Sequence, residues 1–227
     1  MLRRTKFITF LLIFAAVYVF HASLSCSDIH AAGMQDDVDQ AITILERFQE
    51  IPEKSIPPAV FKNAKGLSIL TVIKAGFIFS GRGGKGIVVA RTENGWSGPS
   101  AIGTGGAGFG FQVGAQASEF VIILNTNEAV KAFSRGGNLA LGTELSVAAG
   151  PIGRSVGADV LPFAAVYTYS RSQGLFAGIS LEGTVIATRN DTNAEYYGRQ
   201  VKPHEILSGT VQAPKGTQNL MKVLSKY

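Results

Sequence analysis

Residues 64–124 read AKGLSILTVIKAGFIFSGRGGKGIVVARTENGWSGPSAIGTGGAGFGFQVGAQASEFVIIL. Short β-branched or aromatic runs at 67–73, 76–80, 86–91, 108–116 and 119–124 alternate with glycine-dense stretches, which predicts an antiparallel sheet rather than helices. Around Phe109 the alternation is strict, with Phe109, Phe111, Val113 and Ala115 on one face and Gly108, Gly110, Gln112, Gly114 and Gln116 on the other. A strand face made of glycine marks close approach by another backbone, a tight bend or a ligand.

Outward from this stretch, Thr126 is placed to cap a short helix over 127–134 that ends at Arg135-Gly136-Gly137. Further strands are expected at 140–148, 156–161, 164–170, 175–181 and 184–189, and closing helices at 202–209 and 217–226. Of the 27 glycines, 23 lie between Gly66 and Gly183, and only Pro99, Pro151 and Pro162 interrupt that span. Dense glycine with sparse proline and short strands predicts a strongly bent or barrel-like sheet. On the N-terminal side, Val38, Ile42, Leu45 and Phe48 recur at helical spacing over 34–51, with Asp36, Asp37 and Asp39 in the first turns and Pro52 as the stop. A second, shorter helix is expected over 55–64. The fold class is therefore α+β, a glycine-rich antiparallel β core with packed N- and C-terminal helices.

The first 25 residues read as an export signal: Arg3, Arg4 and Lys6 precede an uncharged apolar run over 7–20. That run is shorter than the ~20 residues a spanning helix needs. Two processing routes fit. Ser23 and Ser25 suit ordinary cleavage before Cys26, whereas Leu24-Ser25-Cys26 resembles the end of a lipobox, making Cys26 a candidate for lipidation. It is the only cysteine, so no intrachain disulfide can form. The expected organisation is a signal over 1–25, a linker over 26–35 and one domain over 36–227, located in the periplasm or cell envelope. The signal holds three basic and no acidic residues, so the remainder carries +2 rather than the +5 of the whole chain. That charge, without a long basic run, argues against nucleic acid as a partner.

AKGLSIL (64–70), GKG (84–86), NGWSGPSAIG (94–103), GAGFGFQVGAQ (106–116), AAGPIGR (148–154), YTYSRSQGLFAGISLEG (167–183) and EYYG (195–198) together resemble the SYLF domain family. The resemblance covers roughly residues 38–224. It implies a phosphoinositide- and actin-associated module in eukaryotic members, a relative in exported bacterial proteins, and membrane-lipid binding without an established reaction. This chain departs from the eukaryotic pattern in its first helix. A basic amphipathic helix suits phosphoinositide headgroups, but here Asp36, Asp37, Asp39, Glu46 and Glu50 face Arg47 alone. Packing of the apolar stripe into the core is the expected role of that helix. Actin is not an expected partner of an envelope protein.

Motif chemistry narrows the function further. GTGGAG (103–108) has dinucleotide-fingerprint spacing, but a strand pattern follows it instead of the helix that would hold a pyrophosphate. Gly84-Lys85 is no P-loop, since Gly86 stands where Ser or Thr would hold magnesium. No nucleotide or other cofactor is expected. No clustered His, Cys or carboxylate spacing suggests a metal, and no G-x-S-x-G accompanies His30 or His204. An envelope hydrolase could still pair two of Glu119, Glu144, Asp159 and Glu182, and a structural or assembly protein is a third reading. A membrane β-barrel is disfavoured because NLMKVLSK before Tyr227 suits a helix.

The favoured reading is a non-catalytic module that contacts anionic phospholipid headgroups. Its candidate contacts are the glycine turn Gly81–Gly86, in which the backbone of Gly83 and Gly84 opens a concavity flanked by Arg82 and Lys85. Lys74 joins them if the strands form a hairpin. Arg171 is a further candidate, grouped with Tyr167, Tyr169 and Phe176, for which cross-strand packing is the competing role. Trp96 follows the hairpin signal Asn94-Gly95 and is expected to anchor the core.

Overall fold

The computed structural model describes residues 33–50, 55–152, 164–174 and 184–227, with backbone alone at 77–79, 108–113 and 174. The expectations for the signal, Cys26, His30, Pro52, Phe176 and the strands over 156–161 and 175–181 lie outside these residues, as do those for the side chains around Phe109. The fold is α+β. Two long strands dominate it, β1 (Gly66–Thr92) and β3 (Ser100–Leu124), joined through the two-residue β2 (Gly95–Trp96). They pair antiparallel from Gly66↔Leu124 to Val88↔Ser100, with a register slip between Phe77 and Phe79. Among the described residues, β4 (Asn138–Ala140), β5 (Val147–Ala149), β6 (Val166–Gly174) and β7 (Val185–Thr188) complete a seven-stranded sheet, in which β6 pairs with the later half of β3 and β7 with its start.

The five short strands expected over 67–124 are thus two continuous ones, and the stretch Gly81–Gly86 is no turn. It sits mid-strand, paired with Ile102–Ala107. The bend lies elsewhere, because β1 comes back against its own beginning. The Arg91 N–H donates to the Lys65 carbonyl at 2.8 Å. A Cβ on Gly86 would fall 2.0 Å from the Ile69 oxygen and 2.6 Å from Leu70 Cα, and one on Gly84 would fall 2.7 Å from the Thr71 oxygen. These contacts advance in opposite directions along β1, so the strand is folded on itself about the register slip at Phe77–Phe79. Glycine at 84 and 86 is what lets the two halves approach.

The curled sheet separates two apolar clusters. Leu67, Ile69, Val121, Ile123, Ile87 and Val89 meet helix α1 (Met34–Arg47), helix α2 (Pro58–Asn63) and the C-terminal helix α6 (Gln218–Leu224). Helices α3 (Asn127–Ser134), α4 (Asn190–Tyr197) and α5 (Pro203–Leu207) lie between α2 and α6 in the chain. On the other side Leu70, Val72, Phe120, Ile122 and Val88 pack with α3 through Ala129 and Phe133, and with Leu207 of α5. Helix α1 buries Met34, Val38, Ala41, Ile44 and Leu45, so its apolar stripe does enter the core. It stops at Arg47, short of the expected 51, where its hydrogen bonds tighten to i→i+3 (Gln49 to Glu46, 2.9 Å). Helix α2 starts only at Pro58, since a residue before proline avoids the helical region. Thr126 caps α3 as expected, its hydroxyl accepting from the Ala129 N–H at 3.1 Å. Trp96 joins the first cluster, donating to the Leu224 carbonyl at 3.1 Å with the Arg91 guanidinium 4.1 Å above its ring.

The sequence pattern did not predict α4. Its buried residue is polar: the Asn193 amide oxygen accepts from the Ala101 N–H at 2.7 Å and its nitrogen donates to Ser100 at 3.1 Å. Asn193→Ala should therefore orphan a buried donor at the start of β3 and cost about 2 kcal/mol in urea unfolding. Asn190→Ala, at an exposed position of the same helix, is the reference and should cost only a few tenths of that. Among the described residues no helix is long and apolar enough to cross a membrane.

Candidate functional site

The candidate cations occupy two different places. Lys74 and Arg82 lie near the bend of β1, opposite Gln116 and Gly106 of β3 respectively. Continuing the self-contact of β1 by two residues beyond Gly84 sets Arg82 across from Lys74. β1 thus bends back on itself about Phe77–Phe79 and not at Gly81–Gly86. Arg82 is half-buried and makes no hydrogen bond or ion pair with the described residues. Around the pair, Ala75, Gly81, Gly83, Gly105, Gly106 and Ala107 are exposed, as is Ile73 at 45 %. No carboxylate occurs between Lys65 and Thr92, or between Asn94 and Ser118. The backbone groups of Gly83 and Gly84 are engaged in pairing with Gly105 and Thr104, so they do not form the open concavity that a glycine turn would have offered.

Lys85 and Arg171 are in ion pairs beneath α1. Lys85 Nζ lies 3.1 Å from Asp37 Oδ1, and Arg189, which the sequence reading had not singled out, donates to Asp37 Oδ2 at 2.6 Å. The Asp37 side chain is 1 % exposed against 29 % for Lys85. At the other end of α1, Arg171 donates to Glu50 and to the Arg47 carbonyl, both at 3.2 Å, and Arg47 pairs with Glu119. Thr71, Glu119 and Arg171 stand opposite one another across β1, β3 and β6. Helix α1 therefore lies over a polar row on the sheet and is fixed to it by charge at both ends.

The other singled-out groups are structural. Tyr167 and Tyr169 are buried in the first cluster, so cross-strand packing describes them. Tyr169 donates to the Pro151 carbonyl at 3.0 Å, and burial pushes its phenol well above the ordinary tyrosine range. Of the proposed hydrolase carboxylates, Glu119 is held by Arg47, while the Glu144 carboxylate accepts from the Ala140 N–H at 3.0 Å. Asp159 and Glu182 lie outside the described residues. No group of three or more His, Cys, Asp or Glu side chains suited to a metal occurs among the described residues.

Residues 105–227 match a family described as "Ysc84: Las17-binding protein actin regulator". The chain belongs to the Ysc84 family. This is the family that the SYLF motifs indicated. Over 204 residues, 86 % of this chain, it is 46 % identical to the human SH3 domain-containing YSC84-like protein 1, of which it covers 60 %. It is 49 % identical over 177 residues to LAS seventeen-binding protein 3 of Saccharomyces cerevisiae, covering 76 % of this chain and 39 % of that one. An SH3 domain-containing protein of Schizosaccharomyces pombe is likewise 49 % identical, over 178 residues, with 41 % of its length covered. This Ysc84-family chain thus spans about 60 % or less of the length of the curated relatives it matches. The family description speaks of binding and regulation, and the name of the Saccharomyces cerevisiae relative speaks of binding.

Proposed function

We propose that this Ysc84-family chain is a non-catalytic binding module whose bent sheet end contacts anionic phospholipid headgroups at a membrane surface of the cell envelope. The observation that carries the reading is the composition of that end. Lys74 and Arg82 fall on either side of the bend of β1, among exposed glycines and alanines and the exposed Ile73, on segments that hold no carboxylate. Small residues let a flat bilayer approach the strand backbone, while two cations and an apolar side chain provide the attraction. Lys85 and Arg171 are not part of this surface, because carboxylates of α1 and of the turn that follows it hold them. The placement in the envelope rests on the basic residues and apolar run of the first 20 residues.

Vesicle co-sedimentation tests this, using the chain from Ser27 onward so that neither the apolar run nor Cys26 contributes. Binding should require anionic lipid and fade with salt. The pair Lys74→Glu and Arg82→Glu should weaken it by about thirtyfold or more, since each cation near an anionic leaflet is worth about 1 kcal/mol. Arg171→Gln should leave it near the starting value. Binding that ignores both changes would overturn the reading and favour a protein partner, which the names of the yeast relatives suggest for those proteins.

A further inference from the structure

Two arginines lie across β3 on glycine. A Cβ on Gly103 would fall 3.2 Å from Arg189 Cδ and 3.5 Å from its Cγ, and the guanidinium beyond them is held by Asp37. A Cβ on Gly106 would fall 2.8 Å from Arg82 Nε, 3.4 Å from its Cγ and 3.6 Å from its Cζ. Arg82 reaches Gly106 from the paired position on β1. Atoms spread along its side chain thus rest over one residue that has no side chain of its own, and a Cβ at 106 would displace them. Unlike Arg189, Arg82 makes no hydrogen bond or ion pair with the described residues. Its terminal N–H donors are therefore available to a ligand, and Gly106 beneath it is exposed. An arginine pays in lost rotamer freedom when a ligand fixes it, and one already laid along a strand has less to lose. Its planar fork of donors matches two oxygens of a phosphate at once.

We infer that Gly106 is a positioning residue for binding: it seats the Arg82 side chain on β3 so that the guanidinium donates to two oxygens of one headgroup phosphate. The inference rests on the reading of the bent end as a headgroup surface. It adds that the contact depends on the orientation of Arg82 as well as on its charge, and that a residue without a side chain sets that orientation.

The test compares the affinity of the full-length protein for vesicles of phosphatidylglycerol and phosphatidylcholine in equal parts with its affinity for phosphatidylcholine alone. The ratio of the two cancels what the apolar run over 7–20 contributes to both. Gly106→Ala should lower the ratio about fivefold with the melting curve unchanged. Arg82→Lys, which keeps the charge and loses the fork, should lower it about as much. Gly105→Ala, whose Cβ position has no atom within 4 Å, should leave the ratio within about twofold of the parent. In an Arg82→Gln background Gly106→Ala should change nothing further. In the free ¹⁵N-labelled protein, the heteronuclear NOE of the Arg82 Nε–Hε group should be high in the parent and fall in Gly106→Ala. A preference for anionic vesicles that survives Gly106→Ala overturns this inference alone, as does an Arg82 Nε–Hε group equally mobile in parent and variant. A parent with no preference for anionic vesicles overturns both this inference and the headgroup reading.

Discussion

Replacing Gly86 with alanine should cost more than about 4 kcal/mol and leave little folded protein, because a domain of this kind is stable by only about 5–15 kcal/mol. The cause is steric and local. The new Cβ would lie 2.0 Å from the Ile69 carbonyl oxygen, 2.6 Å from Leu70 Cα and 2.7 Å from Leu70 Cβ. None of these is the loose end of a side chain that could rotate away. Relief would require the two halves of β1 to part where Ile69 and Ile87 enter one apolar cluster and Leu70 and Val88 the other. The matched control is Gly83→Ala, three residues earlier on the same strand. No atom lies within 4 Å of its Cβ position, so the change should be neutral or stabilise by up to about 1 kcal/mol through the unfolded chain. Thermal melts by circular dichroism read both. Equal effects at 83 and 86 would mean that β1 does not close on itself as described.

This contrast explains why the sheet was only half legible in the sequence. The β character of residues 66–124 follows from composition and alternation, and the strong bend follows from glycine density. Glycine, however, marks both a turn and a place where two backbones touch, and the letters alone do not distinguish the two. Gly83 stands in the open, whereas Gly84 and Gly86 lie against Thr71 and Leu70, and only the partner strand reveals the difference. Helix α4 escaped for a different reason. The segment NDTNAEYY has no apolar stripe, and it is tied to the sheet by the amide of Asn193, a contact with Ala101 92 residues away along the chain.

The candidate site was legible in its residue types and misplaced in its geometry. Lys74 and Arg82 were read as joined through a hairpin, and they fall on either side of the bend of β1. Lys85 and Arg171 were read as free to meet a ligand, yet each has a carboxylate partner from α1 or just beyond it. The signal for those partners was already in view as the unusually acidic first helix. Five carboxylates on the segment that covers a sheet bearing Lys85, Arg171 and Arg189 are complementary to it. Asp37 and Glu50 do pair with those cations, while Asp36 and Asp39 remain exposed. Which acids would be inward could not be known without the angle at which α1 crosses the strands.

Asp37→Asn is the second large effect expected, at about 3 kcal/mol of lost stability. Asp37 is the one fully buried carboxylate of α1, and it alone joins the helix to both β1 and the residue that precedes α4. Removing its charge leaves the Lys85 ammonium and the Arg189 guanidinium facing a neutral amide and each other. Loss of one partner from a buried pair costs about 3–5 kcal/mol. The lower end applies here, because Lys85 and Arg189 are 29 % and 25 % exposed and can swing partly into water. Asp36→Asn, one residue earlier and exposed, should change stability by no more than about 0.5 kcal/mol. A double-mutant cycle separates charge from packing: adding Lys85→Met to Asp37→Asn should recover about 1 kcal/mol or more, because one uncompensated cation is gone. Strict additivity of the two changes in urea unfolding would mean that Asp37 holds α1 through Arg189 alone. Hydrogen exchange should then show the amides of Val38 and Ala41 protected as in the parent when Lys85 is changed, and released only when Arg189 is.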